Sequence, residues 1–133
     1  MRRTGGGAWA VARGAALAAA VAAMFAGCED YRSRDAARLT GGSPQRGREL
    51  IGRYGCDACH TIPGVPGARG RVGPPLAGVA SRMYVAGVLQ NTPPNLQRWI
   101  KDPQAVDSAT AMPNLRVTDA DARDIAAYLY TLR

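Results

Sequence analysis

The sequence predicts an all-α domain over residues 43–133, preceded by an N-terminal extension. Three helix starts are marked by the N-cap residues Ser43, Thr92 and Thr118, each followed by a proline or an aspartate that suits the first turn. We expect helices over residues 44–54, 79–90 and 93–101, and from residue 119 onwards. The last helix has apolar residues at helical spacing, namely Ala122, Ile125, Ala126, Leu129 and Leu132. The connections are rich in Gly and Pro, which is typical of loops.

Residues 1–27 have the features of an export signal. Arg2, Arg3 and Arg13 form a basic region, and the 12-residue apolar stretch Ala15–Ala26 follows it. A stretch of that length suits a signal peptide and is short for a membrane span, which needs about 20 apolar residues.

The signal ends in Phe25-Ala26-Gly27-Cys28, which resembles a bacterial lipobox. We therefore expect Cys28 to be acylated and to anchor the protein on the periplasmic side of a bacterial membrane, with residues 28–42 as a flexible tether. A cleaved signal that leaves a soluble periplasmic protein, and an uncleaved N-terminal helix over residues 8–27, are the alternatives. A charged surface helix is the alternative for residues 35–39. All of these place the domain outside the cytoplasm.

The stretch Cys56-Asp57-Ala58-Cys59-His60 has the pattern of covalent haem attachment. Two cysteine sulfurs can add to the two vinyl groups of one haem, and the residues between them set the separation of the sulfurs. The histidine that follows is then carried to the iron as an axial ligand. The sequence therefore predicts one covalent haem c on Cys56 and Cys59, with His60 bound to the iron.

Two other kinds of site use the same residue types. A structural zinc site needs four ligands, usually in two pairs, but the chain has three cysteines and one histidine and lacks a second pair. A redox dithiol of the thioredoxin type would lie near a βαβ pattern, whereas the residues before Cys56 have a helical pattern. Haem is the interpretation that uses both cysteines and the histidine.

The second axial ligand cannot be a histidine of this chain, because His60 is the only one. Methionine is the usual remaining choice. Met112 lies in a loop between helices, and Pro113 stiffens that loop, whereas Met83 lies in a predicted helix and suits the core. We expect Met112 to be the sixth ligand, with a core position as its alternative.

In this order, these features resemble the class I c-type cytochromes, which are small, all-helical electron carriers with a His–Met haem. The resemblance covers residues 43–133 and rests on Gly47, the haem motif, Gly73-Pro74-Pro75-Leu76, Trp99, Met112-Pro113 and Tyr128-Leu129.

Several residue roles are implied by this resemblance. The first and last helices would cross near Gly47 and Tyr128, and the Pro74 carbonyl would hold the haem-ligating imidazole. Leu76 would pack on the haem and Trp99 would lie near a propionate, with a plain core position as the alternative for both.

A narrower resemblance is to the cytochrome c domain fused to subunit II of some bacterial haem–copper oxidases. It rests on Cys59-His60-Thr61-Ile62, Ala80-Ser81-Arg82, and the runs over residues 87–92 and 95–104. It implies that Arg82 is a partner of a haem propionate, with an exposed solubilising charge as the alternative. The copper-binding domain and transmembrane hairpin of subunit II are absent from the sequence, so we expect a free-standing relative.

Together these features predict a membrane-tethered one-electron carrier of a respiratory chain rather than an enzyme. With both axial positions filled, the iron has no site for substrate, which argues against a peroxidase or a gas sensor. A haem subunit fixed in a larger complex is a further alternative. The resemblance nominates a terminal oxidase as electron acceptor and a cytochrome bc complex as donor.

The charge of the chain also bears on its partners. The formal charge of +7 falls to +4 without the leader, since 14 basic residues then face 10 acidic ones, and this gives little support to nucleic-acid binding. Basic residues flank the motif and the loop after it, namely Arg53, Arg69, Arg71 and Arg82, while Asp119, Asp121 and Asp124 lie on the last helix. We expect this asymmetry to orient the haem side towards an acidic surface, with solvated arginines that have no docking role as the alternative.

Overall fold

Three of the helices begin where a side chain satisfies an unpaired backbone N–H. In the computed structural model, which describes residues 31–133, the hydroxyl oxygens of Ser43, Thr92 and Thr118 each accept a hydrogen bond from the backbone N–H three residues further on. The helices are, in chain order, α1 over residues 31–40, α2 Pro44–Arg53, α3 Cys56–Cys59, α4 Pro93–Lys101 and α5 Asp119–Thr131. The three predicted helix starts, and the mostly helical fold, are confirmed.

The core lies where α2, α4 and α5 pack together. It is built from apolar side chains at helical spacing, which are Leu50 and Ile51 of α2, Leu96 and Ile100 of α4, and Ala122, Ile125, Ala126 and Leu129 of α5.

Helix α2 crosses α5 at Gly47, where the two backbones touch. A Cβ added to Gly47 would lie 2.5 Å from the carbonyl carbon of Asp124 and closer still to its oxygen. The resemblance implied a crossing near Tyr128, but the structure places it one turn earlier. Tyr128 instead donates its hydroxyl to the carbonyl of Pro63, at 2.5 Å.

A buried carboxylate fixes the start of α2 on α5. Asp124 is 7% exposed; its Oδ1 accepts from the backbone N–H of Ser43 at 2.7 Å, and its Oδ2 pairs with Nε of Arg46 at 3.2 Å. Both oxygens of the buried carboxylate are therefore satisfied, as burial of a charge requires.

The helix predicted over residues 79–90 is wrong. A single 3₁₀ turn over Val79–Ser81 is followed by a hairpin of strands β1 Tyr84–Val85 and β2 Leu89–Gln90, which is the one sheet within residues 31–133. Ala86 and Gly87 at its tip have φ of 54° and 74°, and tight hairpin turns need such positive values.

Residues 31–40, which lie within the flexible tether predicted for residues 28–42, form helix α1, in agreement with the helix that was the alternative for residues 35–39. The second half of α1 packs on the domain. Ala36 is completely buried, and the buried hydroxyl of Thr40 donates to the carbonyl of Ala36 at 2.7 Å. Gln97 of α4 donates to the carbonyl of Thr40 at 3.2 Å, and Arg133 pairs with Asp35 at 2.6 Å. Ala36 is small and apolar, and the Thr40 hydroxyl forms its hydrogen bond within the same helix. This face of an otherwise polar segment can therefore be buried.

The predicted export signal over residues 1–27 and the predicted acylation site Cys28 lie outside the described residues and stay predictions. No helix within residues 31–133 is long and apolar enough to cross a bilayer.

Candidate functional site

A cavity of about 300 Å³, within the range of cofactor sites, lies among α2, α4, α5 and the loops that join them. Cys56, Cys59, His60 and Met112 all line it. Most of its wall is apolar, and part of that wall belongs to the core, through Ile51, Val79, Val85, Leu96, Ile100, Val117, Ile125 and Leu129.

The imidazole of His60 is held in one tautomer. Its Nδ1 lies 2.7 Å from the carbonyl oxygen of Pro74, and because a carbonyl can only accept, Nδ1 carries the proton. In the neutral imidazole this leaves Nε2 with its lone pair for a metal. Gly73 covers the ring closely, since a Cβ added there would lie 2.7 Å from Nδ1 and 2.8 Å from Nε2.

The loop that carries Pro74 is fastened to the cysteine motif by backbone hydrogen bonds. The N–H of Gly73 donates to the carbonyl of Cys59 at 2.9 Å, and the N–H of Leu76 donates to the carbonyl of Thr61 at 2.9 Å. Leu76 is half-buried and lines the cavity. The loop thus brings the carbonyl and the apolar contact named from the sequence to the same site.

The thiol of Cys56 differs from that of a redox-active cysteine. Burial, with smaller effects from the nearby Asp57 and Cys59, raises the pKa of Cys56 to about 11, whereas reactive dithiols have a lowered pKa. Within residues 31–133, no three His, Cys, Asp or Glu side chains are grouped so that they could hold a metal ion. The raised pKa of Cys56 does not favour the dithiol interpretation of the motif.

The two methionines of the domain lie in different environments. Met112 is half-buried and lines the cavity, and its loop is held by Gln104, whose amide donates to the Met112 carbonyl at 2.6 Å. Met83 is 80% exposed and does not line the cavity, so the core position expected for it is wrong. Gln104 ends the run over residues 95–104 that carries the narrower resemblance, but the sequence assigned it no role, because that role depends on a contact formed only in the fold.

Trp99 and Arg82 also line the cavity. Trp99 is half-buried and packs against the core. The guanidinium of Arg82 donates to the carbonyl of Pro75 and, at 3.2 Å, to that of Ala77. It is therefore not simply the exposed solubilising charge that was its alternative, since it ties down the loop beside Pro74.

Residues 44–133 match the family model described as Cytochrome c. The chain belongs to the cytochrome c family. Its cofactor is accordingly covalently bound haem c, and the site fits that group: two thiols, an imidazole with a free Nε2 and a thioether line one apolar cavity. The class I resemblance and the fold class predicted from the sequence are confirmed.

The relatives found among curated proteins are both named cytochrome c oxidase subunit 2. The protein of Alkalihalophilus pseudofirmus is 32% identical over 89 residues, which cover 66% of this chain and 25% of that protein. The protein of Bacillus sp. strain PS3 is 28% identical over 89 residues, covering 64% of this chain and 25% of that protein. The chain thus spans about a quarter of the length of these relatives. No solved structure matches it significantly.

Proposed function

We propose that this cytochrome c is a one-electron carrier whose haem is attached through Cys56 and Cys59 and whose iron is bound by His60 and Met112. The observation that carries the proposal is that all four side chains line a single cavity that is walled in part by the core. The haem supplies the redox couple. The chain holds His60 in the ligating tautomer, fixes the Met112 loop, and surrounds the site with apolar groups that limit the access of water.

An enzyme of the peroxidase type, or a gas sensor, is the competing class and would need an open coordination position. The hydrogen bond from Gln104 to the Met112 carbonyl supports a loop held in place, which argues against such an opening. Carbon monoxide should therefore bind the reduced protein slowly or not at all. Prompt binding by the unmodified protein would favour the competing class.

We also propose that Cys28 is acylated and holds the domain on the periplasmic side of a bacterial membrane. The support is the apolar stretch and the small residues that precede Cys28. The mature protein should begin at Cys28, carry added lipid mass and partition into detergent. Cys28→Ala should be soluble or unprocessed, and a mature N-terminus elsewhere without lipid would refute the anchor.

The charge distribution supports a smaller docking surface than the sequence predicted. Asp119 pairs with Lys101 at 2.5 Å, and the other two aspartates of α5 are also engaged, Asp124 with Arg46 and Asp121 with Tyr54. Arg46 also lies 3.6 Å from Asp121, so the three aspartates share two cations, Lys101 and Arg46, and each has a partner within the domain.

Two of the four arginines are engaged as well. Arg82 binds backbone carbonyls. The pKa of Asp121 is lowered, first by the hydrogen bond from Tyr54 and to a smaller extent by the charges of Arg46 and Arg53, so Arg53 lies near that carboxylate. Arg69 and Arg71 are exposed and have no carboxylate partner among residues 31–133.

We therefore propose that Arg69 and Arg71, with the exposed Val72 at the rim of the cavity, contact an acidic surface of the redox partner. The similarity to oxidase subunit 2 nominates a terminal oxidase as the acceptor, or as the complex to which the domain belongs, and a cytochrome bc complex as the donor. Val72 is 80% exposed and lines the cavity, so it would lie between the haem and the partner.

The test is electron transfer from the reduced protein to a purified terminal oxidase at increasing ionic strength. The rate should fall as salt rises and should fall further when Arg69 and Arg71 are changed to Glu. Arg98→Glu, which reverses an exposed charge on α4 away from the cavity, is the matched control. A rate that changes neither with salt nor when Arg69 and Arg71 are changed to Glu would reject electrostatic docking. No transfer at all would reject the oxidase as acceptor.

A further inference from the structure

Arg82 acts on the segment that carries the Pro74 carbonyl. Its guanidinium donates to the carbonyls of Pro75 and Ala77, which flank Leu76 in the same loop. The carbonyl immediately before them, that of Pro74, accepts the Nδ1 proton of His60 at 2.7 Å. Because two of the three carbonyls that follow Pro74 are held by one planar group, the orientation of the Pro74 carbonyl depends on where Arg82 is held.

The backbone of Arg82 is held in turn by Asn91. The side-chain amide of Asn91 donates to the carbonyl of Arg82 at 2.8 Å and to that of Val79 at 2.8 Å. The backbone N–H of Asn91 donates to the carbonyl of Met83 at 2.9 Å. One residue therefore fixes both ends of the 3₁₀ turn and the start of the segment that leads into β1.

Asn91 is oriented by the last helix. Its Oδ1 accepts the hydroxyl of Tyr130 at 3.2 Å, and Tyr130 is only 7% exposed. The amide nitrogen faces two carbonyls and the amide oxygen faces a hydroxyl, so every polar atom of the Asn91 side chain is matched. Neither Asn91 nor Tyr130 lines the cavity.

We propose that Tyr130, Asn91 and Arg82 are positioning residues that set the hydrogen bond between His60 and Pro74 and thereby the midpoint potential of the haem. The inference rests on the proposed role of His60 as an axial ligand. A strong hydrogen bond from Nδ1 makes the imidazole more basic, which favours ferric iron. Loosening the Pro74 carbonyl weakens that bond, so loss of any member of the chain raises the potential.

The decisive variant is Tyr130→Phe in the holoprotein, since it removes one hydroxyl, changes no charge and leaves the cavity wall intact. The potential should shift upwards in a redox titration. Exchange of the His60 Nδ1 proton, followed by NMR, should accelerate by up to about tenfold, the limit reached if the loss of one hydrogen bond of about 1.4 kcal/mol is transmitted in full. Asn91→Ala should shift both quantities in the same direction and further. Asn95→Ala, which removes a comparable bond to the Gln90 carbonyl at 2.9 Å, should change neither.

Substitutions of Arg82 distinguish its positioning role from an effect of its charge. Arg82→Lys keeps the charge but loses the planar fork, so it should raise the potential. Arg82→Gln also removes a positive charge beside the cavity, which by itself favours ferric iron, so its potential should lie below that of Arg82→Lys. If Arg82→Lys keeps the wild-type potential while Arg82→Gln lowers it, the effect is one of charge and the inference is overturned.

Two further outcomes separate this inference from the function it rests on. If the wild type shows an iron-bound histidine and Tyr130→Phe changes neither potential nor exchange, the positioning chain fails and the proposed function stands. If the wild type shows no iron-bound histidine, the proposed function itself fails and this inference falls with it.

Discussion

Substitution of Gly47 by Ala should be among the most damaging small changes to this domain. The added Cβ would lie 2.5 Å from the carbonyl carbon of Asp124, and ordinary contact begins at 3.4 Å. The overlap of about 0.9 Å is between a Cβ fixed to the backbone of α2 and the backbone of α5. No side-chain rotation relieves it, so α2 and α5 must move apart.

The expected magnitude follows from two opposing effects. Overpacking a close contact costs about 1–3 kcal/mol, and the rigid backbone partners place this position at the upper end. A separation of 0.5–1 Å also forfeits about a quarter to a half of the dispersion attraction across the contact. Alanine is better than glycine inside a helix by about 1 kcal/mol, which offsets part of the loss. A net destabilisation of about 2 kcal/mol remains.

Urea unfolding of the ferric holoprotein measures this change, followed through the emission of Trp99, the one tryptophan within residues 31–133. With a slope of about 2 kcal/mol per M, the midpoint should fall by about 1 M. Gly52→Ala in the same helix is the control, because a Cβ at Gly52 would meet nothing within 4 Å, and it should raise stability by up to about 1 kcal/mol. Equal stability of the two variants would refute the close crossing.

Two further predictions concern the iron and the acid and alkaline limits of stability. Met112→Ala should lower the midpoint potential and admit carbon monoxide, because thioether sulfur favours ferrous iron, whereas Met83→Leu should change neither property. The hydrogen bond from Tyr54 to Asp121 lowers the pKa of the carboxyl and raises that of the phenol. The contribution of this hydrogen bond to folding stability is therefore lost as pH falls through the lowered carboxyl pKa, and also as pH rises through the raised phenol pKa. Tyr54→Phe should flatten the dependence of the urea midpoint on pH at both ends, and the exposed Tyr84→Phe should not; an unchanged profile in Tyr54→Phe would contradict the pairing.

The parts of the fold that the sequence predicted well depend on neighbours in the chain. Ser43, Thr92 and Thr118 cap helices through hydroxyl–amide contacts three residues away, so the pattern of letters already contains the interaction. The helix expected over residues 79–90 does not form. The conformation there depends on contacts with distant residues, including the Asn91–Tyr130 hydrogen bond.

The distinction between contacts of chain neighbours and contacts of distant residues also applies to the site. The spacing of Cys56, Cys59 and His60 is local, and it was sufficient to predict the chemistry. The hydrogen bond between His60 and Pro74 that the resemblance implied is present. The engagement of Arg82 with backbone carbonyls, and the pairing that neutralises Asp124, depend on side chains brought from other elements, and no pattern in the sequence encodes them.

Ile125 contributes both to the crossing of α2 and α5 and to the wall of the cavity, and this limits how the protein can be re-engineered. Its backbone lies at the Gly47 crossing, while its side chain is both core and cavity wall. A change of shape at Ile125 therefore alters folding stability and the surroundings of the iron together, so neither property can be selected independently there. Val72 also lines the cavity but is 80% exposed and lies outside the core. Directed evolution of the redox potential should therefore find its freely adjustable positions at the rim of the cavity rather than deep in its wall.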